Sequence, residues 1–241
     1  MSTRAFLVLA LSSGPLAAEP VVPQAKIDLF PDAEFRNFTG NLNASESLSI
    51  QPRDVWRLAD KRLLQITGKG WGSLRTEATY ASFHLVLEYK WGEQTWGKRS
   101  DAARKSGVLI GDSLEVVLQE GATGAVVAGT GDLPQKRKRL PRTDAHWEWV
   151  DRKGFRGEKD LENPVGEWNR LEVVVGAKEL LVHLNGKKVN KRAGKVAGKF
   201  ALRSEGAELF VRRIELWPLG QFKEGWKPAQ RSTDTGYSET G

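Results

Sequence analysis

The residues here that could do chemistry are few, because the 241-residue chain has three histidines and no cysteine. The lack of cysteine removes disulfides, thiolate nucleophiles and cysteine-bound zinc together. His84 and Glu88 lie four positions apart in an alternating stretch, so they share one face of a strand and could supply an acid and an oxygen ligand. The plainer account of His84 is an exposed, solvated strand residue. Glu115 sits between Leu114 and Val116, whose apolar side chains turn inward and point its carboxylate to the opposite face, where it could act as a base. His183, between Val182 and Leu184, points outward by the same alternation. His146 stands beside Trp147, and Trp147 and Trp149 flank Glu148. Indole rings at such a place could stack on the apolar faces of pyranose rings, with His146 closing over the sugar. They could equally plug one end of a folded domain, since tryptophan is largely buried on average, and His146 also fits an ordinary surface loop.

The elements that must position these residues are short strands. Ser82 to Trp91 is the clearest: Phe83, Leu85, Leu87 and Tyr89 alternate with His84, Val86, Glu88 and Lys90, the period of a strand with one buried face. Leu171, Val173 and Val175 alternate again, and Leu180–Leu184 follows a Gly176-Ala177-Lys178 turn. Asn185-Gly186 signals a two-residue hairpin, because both residues tolerate positive φ. Val55–Leu58, Leu63–Thr67, Gly72–Arg75, Gly107–Ile110, Leu114–Leu118, Phe200–Arg203 and Leu209–Leu216 read as further strands. No stretch has helical periodicity over 12 or more residues. The fold class is therefore all-β, a two-sheet antiparallel sandwich. The segment from Ala128 to Pro164 is long for a loop and reads as functional. The polar segment from Gln221 onward reads as disordered.

Apolar residues make up 39% and charged residues 28%, enough for one large core without disulfides. No run approaches the ~20 apolar residues of a membrane span, so no membrane partner is expected. Residues 1–18 read as a signal peptide: Arg4, an apolar run from Ala5 to Leu11, then small residues up to Ala18. The alternative is a disordered N-terminal tail. No cysteine follows the apolar run, which excludes a lipoprotein anchor. The expected location is periplasmic or extracellular. The net charge of +7 is concentrated at Lys136-Arg137-Lys138-Arg139 and in Lys187 to Lys199. The first run lacks the interleaved aromatic rings that stack bases, and both read as solvated loops, so nucleic acid is not an expected partner.

The C-terminal half carries a resemblance. Glu162-Asn163-Pro164-Val165-Gly166-Glu167-Trp168-Asn169 leads into the Leu184-Asn185-Gly186-Lys187 hairpin, and Ser204-Glu205-Gly206-Ala207-Glu208-Leu209-Phe210-Val211-Arg212-Arg213-Ile214-Glu215-Leu216 runs to Pro218-Leu219. With Tyr80 to Leu85, Ser106-Gly107-Val108, Leu114-Glu115-Val116 and Glu120 to Gly124, the chain resembles the 3-keto-disaccharide hydrolase domain family, also described as 3-keto-glycoside lyase/hydratase. The resemblance spans about Ile27 to Leu219. It implies a concanavalin-A-like jelly roll whose concave sheet faces carbohydrate. This sequence departs from the pattern at Lys105, where the family has Asn, at Gly111, where a strand-ending Arg is usual, and at Val117, where Gln follows the strand glutamate. A histidine is common on the strand of His183, at a different offset.

Jelly-roll glucanases set two carboxylates on one strand, and glycoside hydrolysis needs the pair about 5–10 Å apart. Val116 and Val117 follow Glu115, so that dyad is absent. The chemistry implied by the resemblance asks for less. A ketone at C3 acidifies the hydrogen on C2, one base removes it, the C1 group leaves, and water adds back. An electrophile, either a side-chain cation or a divalent metal, holds the enolate. The expectation is an exported lyase/hydratase or hydrolase of 3-keto-glycosides, with Glu115, His84 and Glu88 as catalytic groups. Lys105, Trp147, Trp149, His146 and His183 are expected to bind substrate. The metal requirement stays open. The alternative is a non-catalytic carbohydrate-binding sandwich, which the departures at Lys105 and Val117 would suit.

Overall fold

The computed structural model describes residues 18–45, 49–112, 114–128, 138–139, 150–156 and 160–227. The strands in chain order are β1 (Ile27–Asp28), β2 (Phe38–Leu42), β3 (Trp56–Asp60), β4 (Leu63–Ile66) and β5 (Gly72–Ala81). Then follow β6 (Phe83–Thr95), β7 (Lys105–Ile110), β8 (Leu114–Gln119), β9 (Ala125–Ala128) and β10 (Lys138–Arg139). The last five are β11 (Asn169–Val175), β12 (Glu179–Leu184), β13 (Lys187–Ala193), β14 (Ala197–Ser204) and β15 (Ala207–Pro218). One helical turn, α1 (Pro52–Val55), and a 3₁₀ turn at Gly97–Arg99 are the helical elements among the described residues.

These strands form two sheets. One has the order β10-β9-β8-β7-β14-β5-β2, and the other the order β13-β12-β11-β6-β15-β4-β3, with β1 beside β15. The ladders are antiparallel throughout. The alternation seen in the sequence sets the layers. Phe83, Leu85, Leu87, Leu171, Val173, Val175, Leu180, Val182 and Leu184 from the eight-stranded sheet are buried in one core with Val108, Ile110, Leu114, Val116, Leu118, Phe200 and Leu202 from the seven-stranded sheet. Each such side chain stabilises the fold by about 1.5–3 kcal/mol. This is the jelly-roll sandwich expected.

Two connections show how local sequence sets the path. Asn185 and Gly186 have φ of 50° and 77°, the paired positive values of a hairpin turn between β12 and β13. Ser82, at φ 51°, turns the chain from β5 in one sheet to β6 in the other. Two features differ from the sequence reading. β5 continues to Ala81 instead of stopping at Arg75, because it pairs with both β2 and β14. The start of the C-terminal segment is ordered, not disordered: Phe222 packs edge-on against His84 at 5.0 Å, Glu224 pairs with Arg170 at 2.6 Å and Arg213 at 2.9 Å, and the Arg170 guanidinium lies over the Trp226 ring. The two aromatic rings offset the entropy cost of ordering a polar strap.

A buried carboxyl ties down one end of the sandwich. Glu162 accepts hydrogen bonds from Tyr89 Oη (2.6 Å), Trp91 Nε1 (2.8 Å), Thr123 Oγ1 (3.1 Å) and the Gly121 amide (3.1 Å). Burial pushes this carboxyl up to about 7, although the donors pull the other way.

Candidate functional site

In β8 the core takes Leu114, Val116 and Leu118, so Glu115, Val117 and Gln119 project from the outer face of the seven-stranded sheet. In β7 the core takes Val108 and Ile110, leaving Lys105, Gly107 and Leu109 outward. In β14 it takes Phe200 and Leu202, leaving Ala201 and Arg203 outward. β7 lies between β8 and β14, with Leu109 opposite both Glu115 and Ala201. Outward residues from all three therefore meet.

At the meeting point Arg203 Nε lies 3.3 Å from Glu115 Oε1. The Glu115 carboxylate crosses β7 above Gly107, where any Cβ would stand 2.3 Å from Oε1. Glu205, just beyond β14, receives Arg99 NH2 at 2.9 Å and Lys105 Nζ at 3.0 Å on one carboxylate oxygen, with Arg203 NH1 at 3.6 Å from the other. Arg99 also holds Asp151 at 2.7 Å, and Gln119 Nε2 donates to the Val150 carbonyl at 3.3 Å. Burial would raise the Glu205 pKa, but Lys105, Arg203 and Arg99 together hold it below its ordinary value. Glu115 and Glu205 are buried, whereas the side chains of Lys105 and Arg203 keep 12% and 13% of their exposure. The cations thus border solvent, with the carboxylates behind them.

The structure divides the residues singled out in the sequence. Glu115 and Lys105 belong to this face. His84 and Glu88 do share a face, as their spacing requires, but it is the outer face of the eight-stranded sheet. Glu115 and Glu88 therefore sit on opposite sides of the sandwich, with the core between them. Their expected partnership fails because period-2 spacing orders residues within a strand and says nothing about which sheet the strand joins. Glu88 is also engaged by Arg170 at 3.3 Å, Arg212 at 2.8 Å and Arg213 at 3.4 Å. His84 Nε2 lies 2.9 Å from Glu172 Oε2, under Phe222. His183 stands opposite Glu172 in the ladder, and burial lowers its pKa. His146, Trp147 and Trp149 lie outside the described residues, as do residues 1–17 of the expected signal peptide.

The residues that fill the site and that sequence reasoning passed over are Arg203, Glu205 and Arg99. Arg203 and Glu205 follow the alternation of Phe200 and Leu202 and were readable as outward. Their approach to Glu115, about ninety positions earlier, has no local signal. A divalent metal does not fit here. The two carboxylates, Glu115 and Glu205, are interleaved with Arg203, Lys105 and Arg99, which hold the positions second and third ligands would need. Among the described residues no group of three or more His, Asp or Glu side chains converges to hold a metal ion.

Comparison with known proteins agrees with this architecture. A crystal structure of a candidate glycosyl hydrolase from Parabacteroides distasonis ATCC 8503 superposes with a TM-score of 0.51 at 17% identity, covering 80% of this chain and 99% of that one. A second candidate glycosyl hydrolase from the same organism gives 0.52 at 17% identity, covering 81% and 94%. Both share the fold. Among curated proteins no sequence matches. The 3-keto-alpha-glucoside-1,2-lyase-like domain matches residues 26–216, a span that runs from the start of β1 almost to the end of β15 and includes Glu115, Gly107 and Lys105 on one face. The chain belongs to the 3-keto-alpha-glucoside-1,2-lyase-like domain family.

Proposed function

We propose that this chain is an exported enzyme that opens 3-keto-glycosides by removing the proton on C2, with Glu115 as the base. The observation that carries the reading is the placement of one outward carboxylate beside cations on the seven-stranded sheet of a family member. A C3 ketone lowers the pKa of the C2 proton, so a single positioned carboxylate is a sufficient base. The proton passes to Glu115, the C2–H pair becomes the C2=C3 bond, and the carbonyl pair moves to O3. Return of that pair restores the ketone, forms C1=C2 and expels the C1 oxygen, which takes up the proton held by Glu115. Water then adds its hydroxyl at C1 and its proton at C2, which completes hydrolysis. Lys105 and Arg203, at the solvent border, meet the sugar first and orient it over Glu115.

A second reading, a carbohydrate-binding sandwich without catalysis, is favoured by one observation: Glu115 is wholly buried behind its arginine. Incubation with a 3-keto-α-glucoside and with its unoxidised parent separates the two. Release of the aglycone from the keto sugar alone supports the enzyme. Binding of either sugar without release from the keto form supports the lectin-like alternative.

A further inference from the structure

We propose that Arg203 is the electrophile that holds the developing enolate, so that the centre works without a divalent metal, and that Glu205 is the residue that positions it. This rests on the reading of Glu115 as the base. An enolate formed at C2–C3 places negative charge on O3, a carbon–carbon bond away from the atom that loses its proton. The group that stabilises O3 must therefore sit beside the base, within a few ångströms, and carry hydrogen-bond donors.

Arg203 meets that requirement. Its Nε faces Glu115 at 3.3 Å and its NH1 faces Glu205 at 3.6 Å. Its side chain keeps 13% of its exposure, at the solvent border. A guanidinium presents its donors in a rigid planar fork and stays charged at every relevant pH. A planar fork set between two carboxylates keeps its donors beside the base. Lys105 lacks that property: its ammonium, held by Glu205 at 3.0 Å, is a point charge without a planar fork.

Glu205 acts through Arg203. It is buried, and it gathers Arg99, Lys105 and Arg203 around one carboxylate. These contacts set cationic donors at the solvent border, beside the place where the enolate charge develops. The same three cations would repel a divalent ion, and they occupy the ligand positions around Glu115 and Glu205. The donor set, two carboxylates with no convergent third ligand among the described residues, is poor for Mg²⁺, Mn²⁺ or Zn²⁺.

The test reads proton removal separately from bond cleavage. A 3-keto sugar with no leaving group at C1, 3-keto-1,5-anhydroglucitol, is incubated with the full chain in D2O, and loss of the C2 proton signal is followed by NMR. The expected result is exchange at an unchanged rate with excess chelator and no increase on adding Mg²⁺, Mn²⁺ or Zn²⁺. Arg203→Met should slow exchange by about 10²–10³-fold, as loss of one oxyanion donor does, and added guanidinium ion should restore at least part of it. Arg203→Lys, which keeps the charge and the fold but not the fork, should fall between the two. Glu205→Gln should slow exchange by a larger factor than it raises the dissociation constant of the sugar. Exchange that vanishes with chelator and returns with a metal, or wild-type exchange in both Arg203 variants, overturns this inference and leaves Glu115 as the base. No exchange under any condition removes the proposed function, and this inference with it.

Discussion

Arg203 Nε lies 3.3 Å from Glu115 Oε1, although β14 and β8 are not neighbours. β7 runs between them, and the carboxylate reaches across it because Gly107 has no side chain. The glycine in Ser106-Gly107-Val108 is thus explained by the path of a side chain from the next strand. Its own backbone asks for nothing unusual, since Gly107 is not among the positive-φ residues.

Gly107→Ala should therefore act on Glu115. A methyl group 2.3 Å from Oε1 must push the carboxylate off Arg203. Overpacking of this kind costs about 1–3 kcal/mol of stability, and aglycone release should fall at least tenfold. Urea titration and the release assay check both effects. Release at the wild-type rate would mean that the Glu115–Arg203 contact is not used.

The opposite face should behave differently. Glu88 is bound by three arginines, and removing one partner of a buried ionic cluster costs about 3–5 kcal/mol. Glu88→Ala should lose stability on that order, while the fraction that remains folded keeps aglycone release within about twofold. A specific loss of turnover with stability intact would return Glu88 to the catalytic set.

Much of the fold was legible in the sequence, and the site was legible only in part. Alternation in Phe83–Tyr89, Leu171–Val175 and Leu180–Leu184 identified the inward residues, because strand period is a local property. The Asn185-Gly186 turn was equally local. Glu115 and Lys105 were recognisable as outward residues for the same reason. What could not be read was the strand order β8-β7-β14, which brings Arg203 and Glu205 to Glu115, or the assignment of β6 to the other sheet, which takes His84 and Glu88 away. Long-range antiparallel pairing leaves no short-range trace when the strands are buried and apolar. The strap after Gly220 was missed because five of its residues are polar or glycine. Its two anchors, Phe222 and Trp226, are spaced with Glu224 to face one way.

Those anchors give a third prediction. Phe222→Ala with Trp226→Ala should release the strap and cost about 1–3 kcal/mol, in the usual range for lost half-buried contacts. Turnover should be unaffected, since the strap lies on the eight-stranded sheet. Thermal unfolding with a parallel activity assay checks it. Unchanged stability would show that the strap is not held by its rings.

Glu162 gives a pH dependence with a definite sign. Its folded-state pKa, about 7, is above the 4.5 of the unfolded chain. The folded protein therefore keeps a proton that the unfolded chain has lost between those values, and stability falls as pH rises through that window, by on the order of 3 kcal/mol. Glu205, Glu215 and Glu224 are shifted downward, so their contributions are lost only as pH falls below the ordinary carboxylate range. Burial lowers the His183 pKa, which adds a rise of stability with pH in the same window, so the comparison with Glu162→Gln isolates Glu162. Urea unfolding between pH 4.5 and 7.5 should show stability falling more, or rising less, in the wild type than in Glu162→Gln, and an identical slope in the two would contradict the assignment.

The central claim is that Glu115 removes the C2 proton. Glu115→Gln keeps the shape of the side chain but not its basicity, so it tests the claim most directly. Aglycone release from a 3-keto-α-glucoside should fall by about 10²–10⁴-fold, while the affinity for the unoxidised sugar stays near that of the wild type. Release at the wild-type rate by the folded Glu115→Gln protein would show that Glu115 is not the base.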